Sequence, residues 1–122
     1  MRPFGQLEAA VMECLWARNE PASVRDVLGE LETGKQLAYT TVMTVLDNLH
    51  RKGVVTREMS GRAWMYQPSW DREEHAAMLL REVLGRSSDR QAVLMHFVSE
   101  LEPDAVAELT AAVKAARKRP RS

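Results

Sequence analysis

Apolar residues recur every three or four positions along most of the chain, a spacing that is typical of amphipathic helices. The clearest stripe comprises Val42, Val45, Leu46 and Leu49. Thr40 or Thr41 is expected to cap the start of this helix through its hydroxyl oxygen, and Gly53 is expected to end it in a left-handed conformation. The pattern therefore predicts a well-defined helix here, the third in the chain.

Two helices are predicted before it. The first covers residues 6–18, and a break containing Pro21 follows, because proline cannot continue a helix. Ser23 is expected to cap the second helix, with Asp26 at the capping-box position, and Thr33 and Gly34 are expected to end it. The second and third helices then have the order of a helix-turn-helix motif.

After the third helix the pattern changes to the alternation of β-strands. Residues 54–59 and 63–67 are rich in β-branched and aromatic side chains and flank a turn at 60–62, so they predict a hairpin. Trp64 and Tyr66 alternate on the second strand, and at least one of them is expected to pack on the core. A hairpin directly after a helix-turn-helix is the arrangement of a winged helix.

The face of the third helix opposite its apolar stripe lacks the glutamates and lysines that usually solvate a helix. It carries Thr40, Thr41, Met43, Thr44, Asp47, Asn48 and Arg51. Short donors and acceptors allow close approach to base edges in the DNA major groove, and Arg57 and Arg62 on the hairpin are expected to contact the neighbouring phosphates. The alternative is that this face and both arginines are simply solvated.

The rest of the chain is predicted to be helical. Helices are expected over residues 71–84 and 89–100, separated by a loop at 85–88 in which Ser88 caps the second of them. Pro103 suits the first turn of a last helix.

Each of these three helices carries an apolar face, but about fifty residues bury too little surface to form a stable core alone. The economical solution is two copies that interlock into one shared core. The expected interface residues are Leu79, Leu80, Val83, Val93, Leu94, Phe97, Val98, Leu101, Val106, Leu109 and Val113. The alternative is a monomer in which these helices fold back on the winged helix.

Length and composition limit the other possibilities. A chain of 122 residues makes one domain or two small lobes. It contains neither an apolar run of the roughly 18 residues that a membrane span needs nor a signal-peptide pattern. Cys14 is the single cysteine, which excludes an intramolecular disulfide and fits a reducing cytoplasm. Its place on the apolar stripe of the first helix predicts a packed core thiol.

The chain has no net charge, with 17 basic and 17 acidic residues, but these charges are unevenly distributed. Residues 1–34 carry three basic and six acidic side chains, whereas residues 35–67 carry five basic and two acidic ones. Residues 71–113 carry four basic and nine acidic side chains, and a frayed basic tail is expected from Arg117. Positive charge is therefore concentrated around the third helix and the hairpin, which favours a polyanionic partner.

The sequence contains no recognisable catalytic or cofactor-binding pattern. His50, His75 and His96 lie on three different predicted helices, without the spacing of a metal site. There is no glycine-rich phosphate loop and no supported set of nucleophile and base. We therefore expect neither an enzyme nor a bound metal or cofactor.

A resemblance to the BlaI/MecI penicillinase-repressor family is carried by the run TTVMTVLDNLHRKGVV and by the opening LEAAVMECLWARNEPASVRDVLGEL, and it extends from Gln6 to Val113. The resemblance implies a homodimeric repressor that binds a dyad operator and blocks transcription of β-lactam-resistance genes and commonly of its own operon. It places the base-reading positions on Thr40, Thr41 and Thr44. The neighbouring contacts that it implies are Tyr39, Met43 and Asn48.

Some members of this family are inactivated when a membrane-bound sensor metalloprotease triggers cleavage of an Asn–Phe bond in the second helix of the dimer lobe. The corresponding pair in this chain is His96 and Phe97, so histidine replaces asparagine at the cleavage position. Copper-responsive relatives carry a C-terminal cysteine motif. This chain lacks that motif, so copper sensing of that kind is not expected.

Together these observations predict a mainly α (α+β) protein, with a winged-helix DNA-binding domain over residues 1–70 and a three-helix dimerisation lobe over residues 71–122. The expected partners are double-stranded operator DNA, a second copy of the chain and a membrane sensor protease, without membrane insertion. The rival interpretation is a winged-helix protein-interaction module that dimerises as a scaffold. That module would show no salt-sensitive binding to promoter DNA.

Overall fold

The computed structural model describes residues 4–31 and 36–118. The elements follow in the order α1 (Gln6–Ala17), α2 (Val24–Leu31), α3 (Tyr39–Arg51), β1 (Val55–Ser60), β2 (Ala63–Pro68), α4 (Arg72–Arg86), α5 (Arg90–Ser99) and α6 (Pro103–Lys118). The predicted mainly α fold with one hairpin is confirmed. The chain divides into two compact units, Met1–Leu80 and Arg81–Ser122. The functional boundary expected between residues 70 and 71 stays a prediction.

The core of the first unit is built by α1, α2, α3 and the hairpin. Its largest fully buried side chains are Val11, Met12, Leu15, Val27, Val42, Leu46, Leu49, Val54, Val55 and Tyr66. The apolar stripe predicted on α3 is confirmed, with Val45 partly buried against the same core. Tyr66 is buried while Trp64 is 40% exposed, so one of the two strand aromatics packs on the core as expected. Cys14 is buried there as predicted.

The start of α2 has the predicted capping box. The Ser23 N–H donates to Oδ2 of Asp26 at 2.9 Å, and the Asp26 N–H donates to the Ser23 hydroxyl oxygen at 3.1 Å. Both bonds satisfy N–H groups that lack an intrahelical partner, and the hydrogen bonds from Ser23 lower the pKa of Asp26. The predicted end of this helix at Thr33 and Gly34 lies outside the described residues.

The start of α3 differs from the prediction. The helix begins at Tyr39, and its N-cap is Ala38, which makes no side-chain cap hydrogen bond. The expected cap at Thr40 or Thr41 is therefore wrong, because both threonines already lie inside the first helical turn.

The end of α3 agrees with the prediction. Gly53 has a φ of +82°, in the left-handed region. The Gly53 N–H donates to the His50 carbonyl oxygen at 3.0 Å, and the Val54 N–H donates to the Leu49 carbonyl oxygen at 3.1 Å. These are the two hydrogen bonds of a Schellman motif. The motif stops α3 sharply and directs the chain into β1.

The hairpin has a two-residue turn. β1 and β2 pair antiparallel with Ser60 opposite Ala63, which leaves only Gly61 and Arg62 in the loop. Gly61 has a φ of +63°, and no non-glycine residue of the described chain has a positive φ. A positive φ at the first central position alone defines a type II′ turn, which matches the twist of the two strands.

The start of α4 carries a second capping box, which was not predicted. The Asp71 N–H donates to Oε1 of Glu74 at 3.0 Å, and the Glu74 N–H donates to Oδ1 of Asp71 at 2.7 Å. The helix then continues through Gly85 to Arg86, so the predicted start of the following loop at residue 85 is wrong. A single glycine near a helix end weakens the helix only modestly.

In the second unit, the start of α5 also differs from the prediction. Asp89, and not Ser88, is the N-cap residue, since its carboxylate accepts a hydrogen bond from the Ala92 N–H at 3.1 Å. An ionised acceptor suits the positive end of the helix dipole better than a hydroxyl group.

The last helix begins at Pro103, as predicted, but it extends to Lys118. Arg117 is therefore helical, and the expectation of a frayed tail from this residue is wrong; residues 119–122 lie outside the described part. No residue from 81 to 118 is buried. A single copy of this unit thus leaves its apolar side chains exposed to water.

Candidate nucleic-acid interface

The side of α3 away from the core is exposed. Its exposed side chains are Tyr39, Thr40, Thr41, Met43, Thr44 and Arg51, and Asp47 and Asn48 are half-buried. No glutamate or lysine occurs in the helix. One side of α3 is therefore fixed to the core, while the other presents short polar groups and one thioether at helical spacing.

Hydrogen bonds orient several of these polar side chains. The Thr44 hydroxyl donates to the carbonyl oxygen of Thr40 at 2.9 Å, which leaves the oxygen lone pairs and the methyl group for other contacts. The Arg51 guanidinium donates to Oδ1 of Asn48 and lies 3.6 Å from Oδ2 of Asp47. The Asn48 amide nitrogen keeps two N–H donors. Hydroxyl, methyl and amide groups are among those that read base edges in the major groove.

The two arginines predicted on the hairpin have different surroundings. Arg57 lies within the contact between the hairpin and α3, with Nη1 at 3.2 Å from Oδ1 of Asp47 and its guanidinium carbon at 4.3 Å from the ring centroid of Trp64. Arg62 lies in the tight turn at the tip of the hairpin and is exposed. Arg57 therefore already has partners inside the protein, whereas Arg62 is presented to solvent.

A hollow of about 190 Å³ lies between the start of α3 and the hairpin. Four of its lining residues are Tyr39, Met43, Arg62 and Trp64, and Arg25 from the first turn of α2 lines it as well. Sequence reasoning did not single out Arg25. The available signal was its position, because a basic residue in the first turn of a helix is unfavourable beside the positive end of the helix dipole.

Lys52 belongs to the basic segment of the sequence but is paired with α1. Its Nζ atom lies 2.7 Å from Oε2 of Glu8. The hydrogen bond from Lys52 lowers the pKa of Glu8, while partial burial acts in the opposite direction. Lys52 therefore ties the C-terminal end of α3 to α1. Lys35, also in the basic segment, lies outside the described residues.

The eleven residues predicted at a dimer interface are all at least partly exposed. Leu79 and Leu80 lie at the end of the first unit, and the other nine lie in the second. Nine are exposed, among them Phe97 at 52% and Val83 at 60%, and Leu79 and Leu101 are half-buried. His96 and Phe97 lie inside α5, so the bond between them is in a helix.

Two further expectations concern metal and membrane. Within residues 4–31 and 36–118, no group of three or more His, Cys, Asp or Glu side chains is placed to hold a metal ion. None of the described helices is long and apolar enough to cross a membrane.

Three packed helices, the third with a polar exposed face, followed by a basic hairpin, define the winged-helix class of DNA-binding proteins. Residues 4–115 match the family described as penicillinase repressor. The transcriptional regulator BlaI of Mycobacterium tuberculosis is 44% identical over 104 residues, which cover 83% of this chain and 75% of that protein. The chain belongs to the penicillinase repressor family.

Solved structures agree with this assignment. The DNA-binding domain of the repressor BlaI has a TM-score of 0.52 and 25% identity, with 61% of this chain and 93% of that chain covered. The monomeric form of Bacillus licheniformis BlaI in complex with the blaP half-operator has a TM-score of 0.50 and 25% identity, with 60% and 88% covered. The chain is therefore a DNA-binding transcriptional repressor and not an enzyme.

Proposed function

We propose that this repressor acts as a cytoplasmic homodimer on an inverted-repeat operator, and that it controls β-lactam-resistance-type genes together with its own operon. The observation that carries the proposal is the exposed, threonine-rich face of α3 together with the exposed Arg62 at the tip of the β1–β2 hairpin. We call this hairpin the wing. Membership of the penicillinase repressor family and the identity to the mycobacterial BlaI regulator support the class of target genes.

In this proposal α3 enters the major groove and Thr40, Thr41 and Thr44 face the base edges. Each threonine offers a methyl group that contacts the thymine methyl and a hydroxyl oxygen that accepts a hydrogen bond; the Thr44 hydroxyl already donates to the Thr40 carbonyl. Arg62, exposed at the wing tip, binds a phosphate beside the groove and fixes the register of the helix. The complex of a BlaI monomer with a half-operator supports one protomer for each half-site.

The second unit supplies the dimer contact. No residue from 81 to 118 is buried in a single copy, although α5 and α6 present Val93, Leu94, Phe97, Val106 and Leu109. Apolar surface of this extent is stable in water only when another surface covers it. A second copy is the simplest cover, because a two-fold axis brings each apolar face against its own equivalent.

Dimerisation determines both affinity and operator shape. A single winged helix makes few contacts and binds weakly, but tethering two of them raises the effective concentration of the second at its half-site. A two-fold symmetric protein requires two half-sites related by a dyad, one helical turn or a multiple of it apart. Repression therefore depends on the integrity of the second unit.

Cleavage in α5 is the proposed route of induction, with a membrane sensor protease as the initiating partner. A cut between His96 and Phe97 would separate Val98, Leu101 and all of α6 from the rest of the chain. Since the bond lies inside α5, the helix must open locally before a protease can act. The loss of α6 would then give monomers that leave the operator.

The test is DNase footprinting of the purified full chain on the DNA upstream of its own coding sequence. We expect two protected half-sites related by a dyad, and a steep loss of binding between about 50 and 200 mM salt. If the folded, dimeric chain protects none of this upstream DNA at low salt, the protein is a scaffold and the proposed function is wrong.

A further inference from the structure

Arg57, on β1, makes three side-chain contacts in the first unit, one with α3 and two with β2. Its Nη1 atom lies 3.2 Å from Oδ1 of Asp47 on α3 and 3.5 Å from the hydroxyl oxygen of Tyr66 on β2. Its guanidinium lies over the ring of Trp64, 4.3 Å from the centroid. The side chain is only 22% exposed. Arg57 therefore joins the hairpin to α3 from its own position on β1.

The partners of Arg57 are themselves held in place. Tyr66 is 1% exposed, and its backbone N–H and C=O pair with Ala22 at 2.8 and 2.9 Å. Asp47 lies on α3 one position after the buried Leu46. A planar guanidinium can stack on an aromatic ring while its edge donates to a carboxylate, and a lysine ammonium cannot do both.

We propose that Arg57 is a positioning residue that fixes the wing at a set angle to α3, and that it does not bind a phosphate. This proposal rests on the proposed function, because the angle matters only if the wing and α3 contact one DNA duplex together. It replaces the phosphate contact that the sequence predicted for Arg57. Arg62 keeps that role.

The two roles affect DNA binding differently. A phosphate contact acts on every duplex, and its loss lowers the slope of log K against log salt by about 0.9. A positioning residue that only joins the wing to α3, here called a brace, leaves the number of phosphate contacts unchanged. Its loss lets the wing and α3 move relative to each other, so the operator complex, which needs both in register, weakens more than the complex with random DNA.

The experiment compares Arg57→Met, Arg57→Lys and Arg62→Met in the full-length chain. Binding is measured by fluorescence anisotropy over a salt series, with the footprinted operator duplex and a scrambled duplex of equal length. For both Arg57 variants we expect a roughly tenfold loss of operator preference, in the range of coupled contacts, and an unchanged salt slope. For Arg62→Met we expect weaker binding to both duplexes and a slope smaller by about 0.9.

A second variant tests the carboxylate side of the brace. Asp47→Asn removes a negative charge from the face of α3, so affinity for both duplexes rises whatever the role of Arg57. If Arg57 is a phosphate ligand, both affinities rise together and operator preference is unchanged. If Arg57 is a brace, Asp47→Asn loses operator preference as Arg57→Met does, and the double variant loses little more than either single one.

The coupling between Arg57 and Asp47 is also measurable without DNA. Urea unfolding is compared for the wild type, Arg57→Met, Asp47→Asn and the double variant that carries both substitutions, all at one protein concentration. We expect the unfolding constant of the double variant to differ about threefold or more from the product of the single effects. Additive unfolding effects, or a smaller salt slope in Arg57→Met that Arg57→Lys restores, would overturn the proposal. If unfolding shows this coupling but the wild-type protein protects no DNA, the proposed function is wrong. Arg57 would then make a structural contact only, without the positioning role that we propose.

Discussion

The imidazole ring of His75 is stacked on the phenyl ring of Phe4, with ring centroids 4.5 Å apart and planes 5° from parallel. The indole of Trp16 lies against the same imidazole at 5.7 Å, tilted by 49°. His75 is 4% exposed, and neither ring nitrogen has a hydrogen-bond partner among the described residues. Burial lowers the pKa of His75, so it acts as a neutral aromatic ring in the first unit.

This contact predicts a pH dependence of stability. Because the pKa of His75 is lower in the folded than in the unfolded protein, the unfolded state binds more protons around its usual pKa of about 6.5. The free energy of unfolding should therefore fall as the pH is lowered from about 7.5 through 6.5, towards the folded-state pKa. His75→Phe keeps the ring stack and should remove this part of the dependence. The measurement is urea unfolding at fixed protein concentration.

Parallel pH profiles of the wild type and His75→Phe would show that the buried imidazole does not destabilise the protein at low pH.

The left-handed glycine at the end of α3 gives a second prediction. Gly53 has a φ of +82°, and a Cβ atom there would meet no other atom within 4 Å. Gly53→Ala should therefore lower the free energy of unfolding by about 1–2 kcal/mol through backbone strain alone. Gly29→Ala, at a helical glycine with equal space around it, should instead raise it by up to about 1 kcal/mol. Equal effects of the two substitutions would contradict the Schellman geometry.

The buried thiol gives a third prediction. The pKa of the Cys14 thiol is raised to about 12. Burial is the largest cause, and the hydrogen bond that the thiol donates to Oε2 of Glu30 at 2.9 Å is the second. At pH 8 the thiolate is scarce, so alkylation of native Cys14 by iodoacetamide should be far slower than in the urea-unfolded chain. Because burial is the larger cause, Glu30→Gln should keep most of this protection. Native labelling at the unfolded rate would show that the thiol is accessible.

Sequence reasoning succeeded where the determinants are local. The Ser23 and Asp26 capping box and the left-handed Gly53 follow from residues within one helical turn, and the apolar stripe of α3 follows from its period. The same local logic failed at Ser88, where a neighbouring aspartate competes for the cap. It also failed at Thr40 and Thr41, because α3 begins earlier than its first hydroxyl residue.

The parts of the site that escaped prediction depend on contacts between distant elements. The phosphate contact predicted for Arg57 stays untested, but the contacts of its guanidinium with Asp47 and Trp64 were not foreseen, because they depend on how the hairpin packs on α3. The position of Arg25 in the hollow beside the hairpin depends on the start of α2 lying near the start of α3. Periodicity gives no information about either packing angle. The base contacts and the dimer interface stay predictions.

The exposed threonines of α3 give a fourth prediction. Thr44→Ala should lower the affinity for the footprinted operator by about 1–3 kcal/mol, because it removes both the hydroxyl and the methyl group from the proposed base contact. Thr110→Ala is the matched control, since this threonine makes the same hydrogen bond to the carbonyl four residues earlier, at 2.9 Å, but lies on α6. Anisotropy titrations of operator and scrambled duplexes distinguish the cases. An equal loss on both duplexes would show that Thr44 does not read sequence.

The apolar face of α5 gives the last prediction, which concerns assembly. Phe97 is 52% exposed in the single chain, so Phe97→Asp places a charge at the proposed dimer contact without disturbing a buried site. Sedimentation velocity should show a dimer for the wild type and a monomer for the variant, with the near-UV circular dichroism of the first unit unchanged. Operator affinity should fall by a factor of about 10² to 10⁴, the gain that tethering supplies, while binding to a single half-site is retained.

Gln91→Glu adds charge to an exposed polar position of the same helix and should leave the dimer intact. A dimer that survives Phe97→Asp would place the contact elsewhere on the chain, and monomers that still bind the full operator tightly would show that repression does not depend on pairing.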